Sequence, residues 1–245
     1  MNSRAKKIAE LIHANNVLFG ACGSGVPPTL EGLYLIVAEA LKVGESRNVA
    51  MFDLDGSLAN YVDALVRDMT ELASLDDEPI TADNLYTLEK QQHIRNRMRL
   101  IKRQPNWWLN LEPIEAGMKA MHIAKQIGFD IHVLTKGPKK APLAWKEKLE
   151  WCQLHIDEDV DVHVTSDKGL VYGKVLYDDY PEYMDTWLKD RSRGLGIMPI
   201  TSYNKDYTHP NVVRWDGTNV EELTTALTIA FNRQSGEELW LPVKK

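Results

Sequence analysis

Short apolar segments alternating with amphipathic helical stretches constrain this chain most. Val49–Phe52 reads as a buried strand, as do residues 131–134, 162–164, Val175–Tyr177 and 196–200. Helical patterns follow at 114–127, Pro142–His155, 181–189 and 220–231. Runs this short and this apolar belong in a parallel sheet covered by helices on both faces. The predicted fold class is therefore α/β, with a Rossmann-like parallel sheet as its core. Ligands in such sheets bind at the carboxyl ends of the strands, so residues just after the strands are where chemistry is expected.

Two regions stand outside this alternation. In residues 1–45, Ser3 fits the N-cap of a helix to about residue 15, and Thr29 fits that of a helix through Leu41. Gly20, Gly23 and Gly25 lie between them, but no Gly-Lys-Ser/Thr follows and no clear strand precedes, so a phosphate loop is rejected. The segment at about 60–112 falls between the first two core strands. It is charged, helical in pattern at 88–101, and too long for a simple crossover, so it reads as an inserted helical cap. The predicted organisation is an N-terminal helical extension over 1–45 and a catalytic core over 46–245 that carries the cap.

The chain has 245 residues and a formal net charge of −6. That sign argues against a stable nucleic-acid partner, which must be met by excess positive charge. No apolar run is long enough to span a bilayer, and residues 8–19 are too polar for the centre of a secretory signal, so a cytoplasmic location is predicted. Cys22 and Cys152 form no metal-binding pair and read as free thiols.

The chemistry centres on Asp53-Leu54-Asp55-Gly56-Ser57-Leu58, directly after the first strand. Two carboxylates two residues apart on a turning chain can enter one pocket, where they repel unless a cation lies between them. Oxygen ligands of this kind suit Mg²⁺. The motif resembles the first signature of the haloacid dehalogenase superfamily of phosphotransferases. The resemblance implies that Asp53 is a nucleophile forming an aspartyl-phosphate and that Asp55 is the general acid/base. It further implies that Thr135, ending the second strand, holds phosphoryl oxygens and that Lys168 neutralises the nucleophile. Asp178 and Asp179 would complete, with Asp53 and Asp55, a Mg²⁺ site. Lys174 competes for the Lys168 role but begins the strand whose far end carries Asp178, so it is expected on the wrong side.

A narrower resemblance, over about 49–215, is to the 5′(3′)-deoxyribonucleotidases. It rests on Asn106-Trp-Trp-Leu-Asn-Leu-Glu-Pro113, on Trp145-Lys-Glu-Lys-Leu-Glu-Trp151, and on the spacing from Ser166-Asp-Lys168 to Asp179. In that family cap aromatics form a nucleobase slot, and by position Tyr61 and Trp108 match slot residues, while Trp107 reads as packing. Lys136 replaces the Ser that usually follows the Thr and is expected to bind the substrate. Residues 65–95 do not align with the family, and the first 45 have no counterpart in it.

The resemblance implies hydrolysis of (deoxy)ribonucleoside monophosphates, with a small nucleotide as the partner. A 3′-phosphatase acting on polynucleotide ends is the alternative. A non-catalytic binding module would be expected to lack a signature residue, and none is lacking. His132 and His163 fall within strands and read as packed. The cluster Arg95, Arg97, Arg99, Lys102, Arg103 reads as a solvated helix face, with cleft lining as the alternative. The apolar stripe at 30–41 fits either a cover over the core or a homodimer interface.

Overall fold

The computed structural model describes residues 47–233 together with Glu10, Leu239 and Leu241. The helices predicted at 3–15 and 29–41 fall outside the described residues, Glu10 apart. The chain divides into Met1–Arg47 and Asn48–Lys245, and every element named below belongs to the second unit.

Among the described residues, six strands form one sheet: β1 (Val49–Phe52), β2 (Asp130–Thr135), β3 (Asp161–Val164), β4 (Val175–Tyr177), β5 (Leu195–Pro199) and β6 (Val212–Trp215). Their order is β3-β2-β1-β4-β5-β6, and every neighbouring pair is parallel. The α/β Rossmann-like class expected from the sequence is the one observed. The sixth strand was not among those expected, because Arg214 interrupts its apolar run and its residues alternate between buried and half-buried.

The helices, in chain order, are α1 (Tyr61–Glu71), α2 (Leu85–Leu88), α3 (Gln92–Ile101), α4 (Glu115–Ile127), α5 (Pro142–His155), α6 (Pro181–Asp190) and α7 (Val220–Asn232). The first three form the insertion between β1 and β2. The single helical pattern read at 88–101 is two helices, because Gln91 adopts extended backbone (ψ 132°) and starts α3 afresh.

Successive strand residues point to opposite faces, and the burial follows that rule. Ala50, Phe52, Val175 and Tyr177 join one apolar core, whereas Met51 and Leu176 pack on the other face with Met184, Trp187 and Leu188 of α6. Val62, Leu65 and Met69 of α1 and Ile94, Met98 and Ile101 of α3 lie at helical spacing and enter the larger core. Cap and sheet therefore share one core.

The chain order reverses at β1, from which β2 lies to one side and β4 to the other. Such reversals open a crevice at the carboxyl ends of the central strands. No helix among the described residues is long and apolar enough to cross a membrane.

Candidate active site

Strand register brings the first two acids together. Phe52 of β1 pairs with Tyr177 of β4, so the residues just beyond them, Asp53 and Asp178, leave the sheet side by side. The Asp53 N–H donates to the Tyr177 carbonyl (2.8 Å), and the Asp178 N–H donates to the Ile197 carbonyl (3.1 Å). The chain then turns through Gly56, whose φ of +80° is open to glycine and strained for other residues. A Cβ there would also lie 2.7 Å from Asp179 Oδ2. The N–H groups of Leu58 and Ala59 both donate to the Leu54 carbonyl (3.0 and 2.7 Å) and close the turn. It delivers Ser57, whose hydroxyl donates to Asp179 Oδ1 (2.8 Å) and accepts from the Asp179 N–H (3.1 Å). Tyr203 donates its hydroxyl to Asp179 Oδ2.

Asp53, Asp178 and Asp179 are all buried, and each offers a carboxylate oxygen within 4.8 Å of the others. The buried Lys168 ammonium faces them: its Nζ lies 2.7 Å from Asp53 Oδ1 and 2.6 Å from Asp178 Oδ2. Burial works against the Lys168 charge, but Asp178 and Asp53 outweigh it and push its pKa above the ordinary lysine range. Burial, and then the charge of Asp53, push Asp178 up to about 8 and Asp179 up to about 6. At 4.8 Å, two like charges cost roughly 3 kcal/mol at an effective dielectric of about 20. A single Lys cannot offset three such carboxylates. A divalent cation can, and an all-oxygen donor set suits a hard ion. The residues present thus fit a divalent metal.

The side chain of Asp55 is not among the three acids of that cluster. The turn aims it towards α5, where Lys148 Nζ binds Asp55 Oδ2 at 2.5 Å. Lys148 also donates to Thr135 Oγ1 (3.1 Å) and to the Lys136 carbonyl (2.8 Å). Asp55 Oδ1 is buried and has no hydrogen-bond partner. Burial raises the pKa of Asp55, with the Asp53 charge adding and Lys148 opposing. Lys148 had no sequence signal of its own, since a lysine within the helical pattern of Pro142–His155 reads as a surface residue; only its 1% exposure separates it from Lys146.

Lys174, the competing lysine, points to the other end of the sheet, where its Nζ reaches the carbonyls of Phe231 and Arg233 (3.3 and 2.9 Å). The two strand histidines stack on each other, with His132 Nδ1 and His163 Nε2 2.8 Å apart.

A cavity of about 540 Å³ opens over Asp53, Asp55, Lys168 and Asp179. Tyr61, Trp108 and Lys136 line it as well. Tyr61 and Trp108 stack on each other, with centroids 5.5 Å apart and planes 16° from parallel. Lys148 covers the Trp108 ring at 4.5 Å. Tyr86, Tyr180 and Tyr183 supply further aromatic wall. Tyr86 falls in the stretch 65–95 without counterpart, and the other two read simply as the start of α6. Lys136 Nζ lies 3.2 Å from the Tyr183 hydroxyl, to which it donates. Trp107 packs in the core and donates its Nε1–H to Asp68 Oδ2 (2.7 Å). Glu147, buried beside Lys148, accepts the N–H groups of Asn106 (2.7 Å) and Trp108 (3.1 Å) and so fixes the aromatic loop on the core.

A family model described as "5′ nucleotidase, deoxy (Pyrimidine), cytosolic type C protein" matches residues 47–226. No curated protein matches the chain in sequence. Similar solved structures include a haloacid dehalogenase-like hydrolase from Burkholderia xenovorans LB400, at 14% identity and a TM-score of 0.45, covering 73% of this chain and 98% of that one. A haloacid dehalogenase-like family hydrolase from Xanthomonas campestris is 15% identical, with a TM-score of 0.43, covering 75% of this chain and 99% of that one. A hydrolase of the same superfamily from Deinococcus radiodurans R1, with bound phosphate and sodium, is 12% identical with a TM-score of 0.44; 76% of this chain and 98% of that one are covered.

Proposed function

This chain belongs to the deoxy (pyrimidine) 5′ nucleotidase family, cytosolic type C, and on that premise we propose that it is a Mg²⁺-dependent phosphomonoesterase of (deoxy)ribonucleoside monophosphates, working through an aspartyl-phosphate on Asp53. The observation that carries the reading is the buried Lys168 ammonium, held between the Asp53 and Asp178 carboxylates on the floor of an aromatic-walled cavity.

An Asp53 carboxylate oxygen attacks phosphorus, and the bond from phosphorus to the ester oxygen breaks. Lys168 holds the Asp53 carboxylate in position, and it offsets charge on the transferring group. The unpartnered Oδ1 of Asp55 gives a proton to the departing ester oxygen. In the second half Asp55 takes a proton from water, whose oxygen attacks the acyl phosphate; phosphate leaves and the Asp53 carboxylate returns. The Thr135 hydroxyl, which accepts from Lys148, would bind phosphoryl oxygens. A Mg²⁺ ion held by Asp53, Asp178 and Asp179 would neutralise phosphate charge during transfer. Lys136 would meet the substrate at the cavity mouth. With no membrane-crossing helix among the described residues, a cytoplasmic location is part of the same proposal.

The test is phosphate release from a panel of ribo- and deoxyribonucleoside monophosphates, with Mg²⁺ and with chelator. Release that needs Mg²⁺ and vanishes in Asp53→Asn is expected. No release from any nucleotide by the unmutated protein would overturn the substrate class.

A further inference from the structure

A second cavity, of about 600 Å³, lies beside the catalytic one. One wall comes from α3 and the turn that ends it, the other from residues 138–141 after β2. The two cavities share Glu89, Lys102, Trp108, Pro138 and Lys139, so they meet along the seam between cap and core.

The lining of this second cavity is cationic. Arg95, Arg99, Lys102, Arg103, Lys139 and Lys140 contribute to it, and Glu89 is the one acid among the lining residues. The chain as a whole carries a net −6, so this is a local concentration and not a general excess. Arg95 is tethered to the carbonyls of Glu89 (3.1 Å) and Lys90 (3.2 Å), and Lys102 to the Tyr61 hydroxyl (3.0 Å). Among the described residues, no ion pair joins Arg99, Arg103, Lys139 or Lys140 to a carboxylate.

A solvated helix face spreads its charges outward. Here two segments far apart in sequence bring like charges to one concavity, at a Coulomb cost that an anionic ligand would reverse. Burial lowers the Lys102 pKa; the charges of Glu89 and Asp55 oppose that and the Arg99 charge adds to it. Arginine forks match phosphate oxygens in pairs, whereas a neutral sugar or base makes no use of several cations.

We propose that this cavity is a subsite for a second phosphate group, and that the preferred substrate is a nucleoside bisphosphate, with its scissile phosphate at Asp53 and the other among Arg99, Arg103, Lys139 and Lys140. The proposal rests on the nucleotide phosphatase reading above. A phosphodiester one nucleoside away offers related chemistry, so a dinucleotide serves as the comparison.

The test is equilibrium binding by titration calorimetry to the full-length Asp53→Asn protein with Mg²⁺. The probes are thymidine 5′-monophosphate, thymidine 3′,5′-bisphosphate and a 5′-phosphorylated thymidine dinucleotide. The bisphosphate is expected to bind about tenfold or more tighter than the monophosphate, and the advantage should shrink as salt rises from about 50 to about 300 mM. Adding Arg99→Gln and Lys140→Gln, both at exposed positions that spare the core, should cut the advantage to about twofold or less. Equal affinity for monophosphate and bisphosphate would overturn the proposal. So would an advantage that survives both substitutions, or tighter binding by the dinucleotide alone. The readout does not require turnover, so a failed catalytic reading would show itself separately, as absent phosphate release by the unmutated protein.

Discussion

Replacing Lys148 by Met isolates the contribution of a residue that holds the acid/base side of the site. Its Nζ makes three contacts, to Asp55 Oδ2, Thr135 Oγ1 and the Lys136 carbonyl. Methionine fills much of the same volume and removes all three. Breaking a buried ion pair from one side costs about 3–5 kcal/mol, because the surviving charge is stranded. The Asp55 side chain is 23% exposed, so water relieves part of that, and about 2–3 kcal/mol is expected. For a unit of this size the melting temperature should fall by about 4–10 °C. The effect on turnover should be larger. With Asp55 and Thr135 both released, kcat should fall about 10²-fold or more, the range for loss of a placed general acid/base. Lys148 does not line the substrate cavity, so KM should stay within about threefold. Thermal melts and steady-state kinetics on the best nucleotide measure both. A folded variant with kcat within about threefold of the parent would refute the reasoning.

Three smaller perturbations test other parts of the same framework. Glu147→Gln leaves one good acceptor for the two N–H groups of Asn106 and Trp108, and should cost about 1.5–3 kcal/mol in urea unfolding; an unchanged midpoint would count against Glu147 as the clamp of the aromatic loop. Gly56→Ala forces a side chain into φ +80° and against Asp179, at about 1–2 kcal/mol of backbone strain. The Mg²⁺ concentration needed for half-maximal rate should rise with it, and an unchanged requirement would argue that Asp179 has no part in the metal site. Burial pushes the Cys152 thiol up to about 12, so it remains protonated through neutral pH and up to the alkaline range where an unfolded thiol ionises. Iodoacetamide at about pH 8 should leave Cys152 unmodified in native protein and alkylate it in urea, read by peptide mass; native labelling at the unfolded rate would contradict its placement.

Much of this framework was legible in the sequence, because strands buried on both faces must be short, apolar and sharply bounded. Val49–Phe52 and Val175–Tyr177 were read with their observed limits, and Pro142–His155 likewise, its start marked by proline. β6 escaped because half-buried strands carry Arg and Val together. Asp53, Asp178 and Lys168 were readable since each sits at or near a strand end, where topology alone decides what meets. Lys148, Glu147 and Tyr203 were not. Their roles depend on which face of a helix or turn meets the site, and a charged side chain within a helix carries the same local signal on either face. Asp55 was read as a metal ligand together with Asp53, Asp178 and Asp179; its pairing with Lys148 depends on how the loop after β1 meets α5, which the local sequence does not encode. The base slot was legible only as residue types; the mutual stacking of Tyr61 and Trp108 is a tertiary fact.

The central claim is that Asp53 bonds to phosphorus during turnover. Single-turnover reaction with a good nucleotide substrate and Mg²⁺, quenched in acid and reduced with borohydride, tests it directly. An acyl phosphate is reduced at its carbonyl to the alcohol, so the peptide containing Asp53 should carry homoserine at that position. Asp55 should remain unmodified. Retention of aspartate at position 53 through many quench times, with phosphate still being released, would contradict the account and leave direct attack by water as the mechanism.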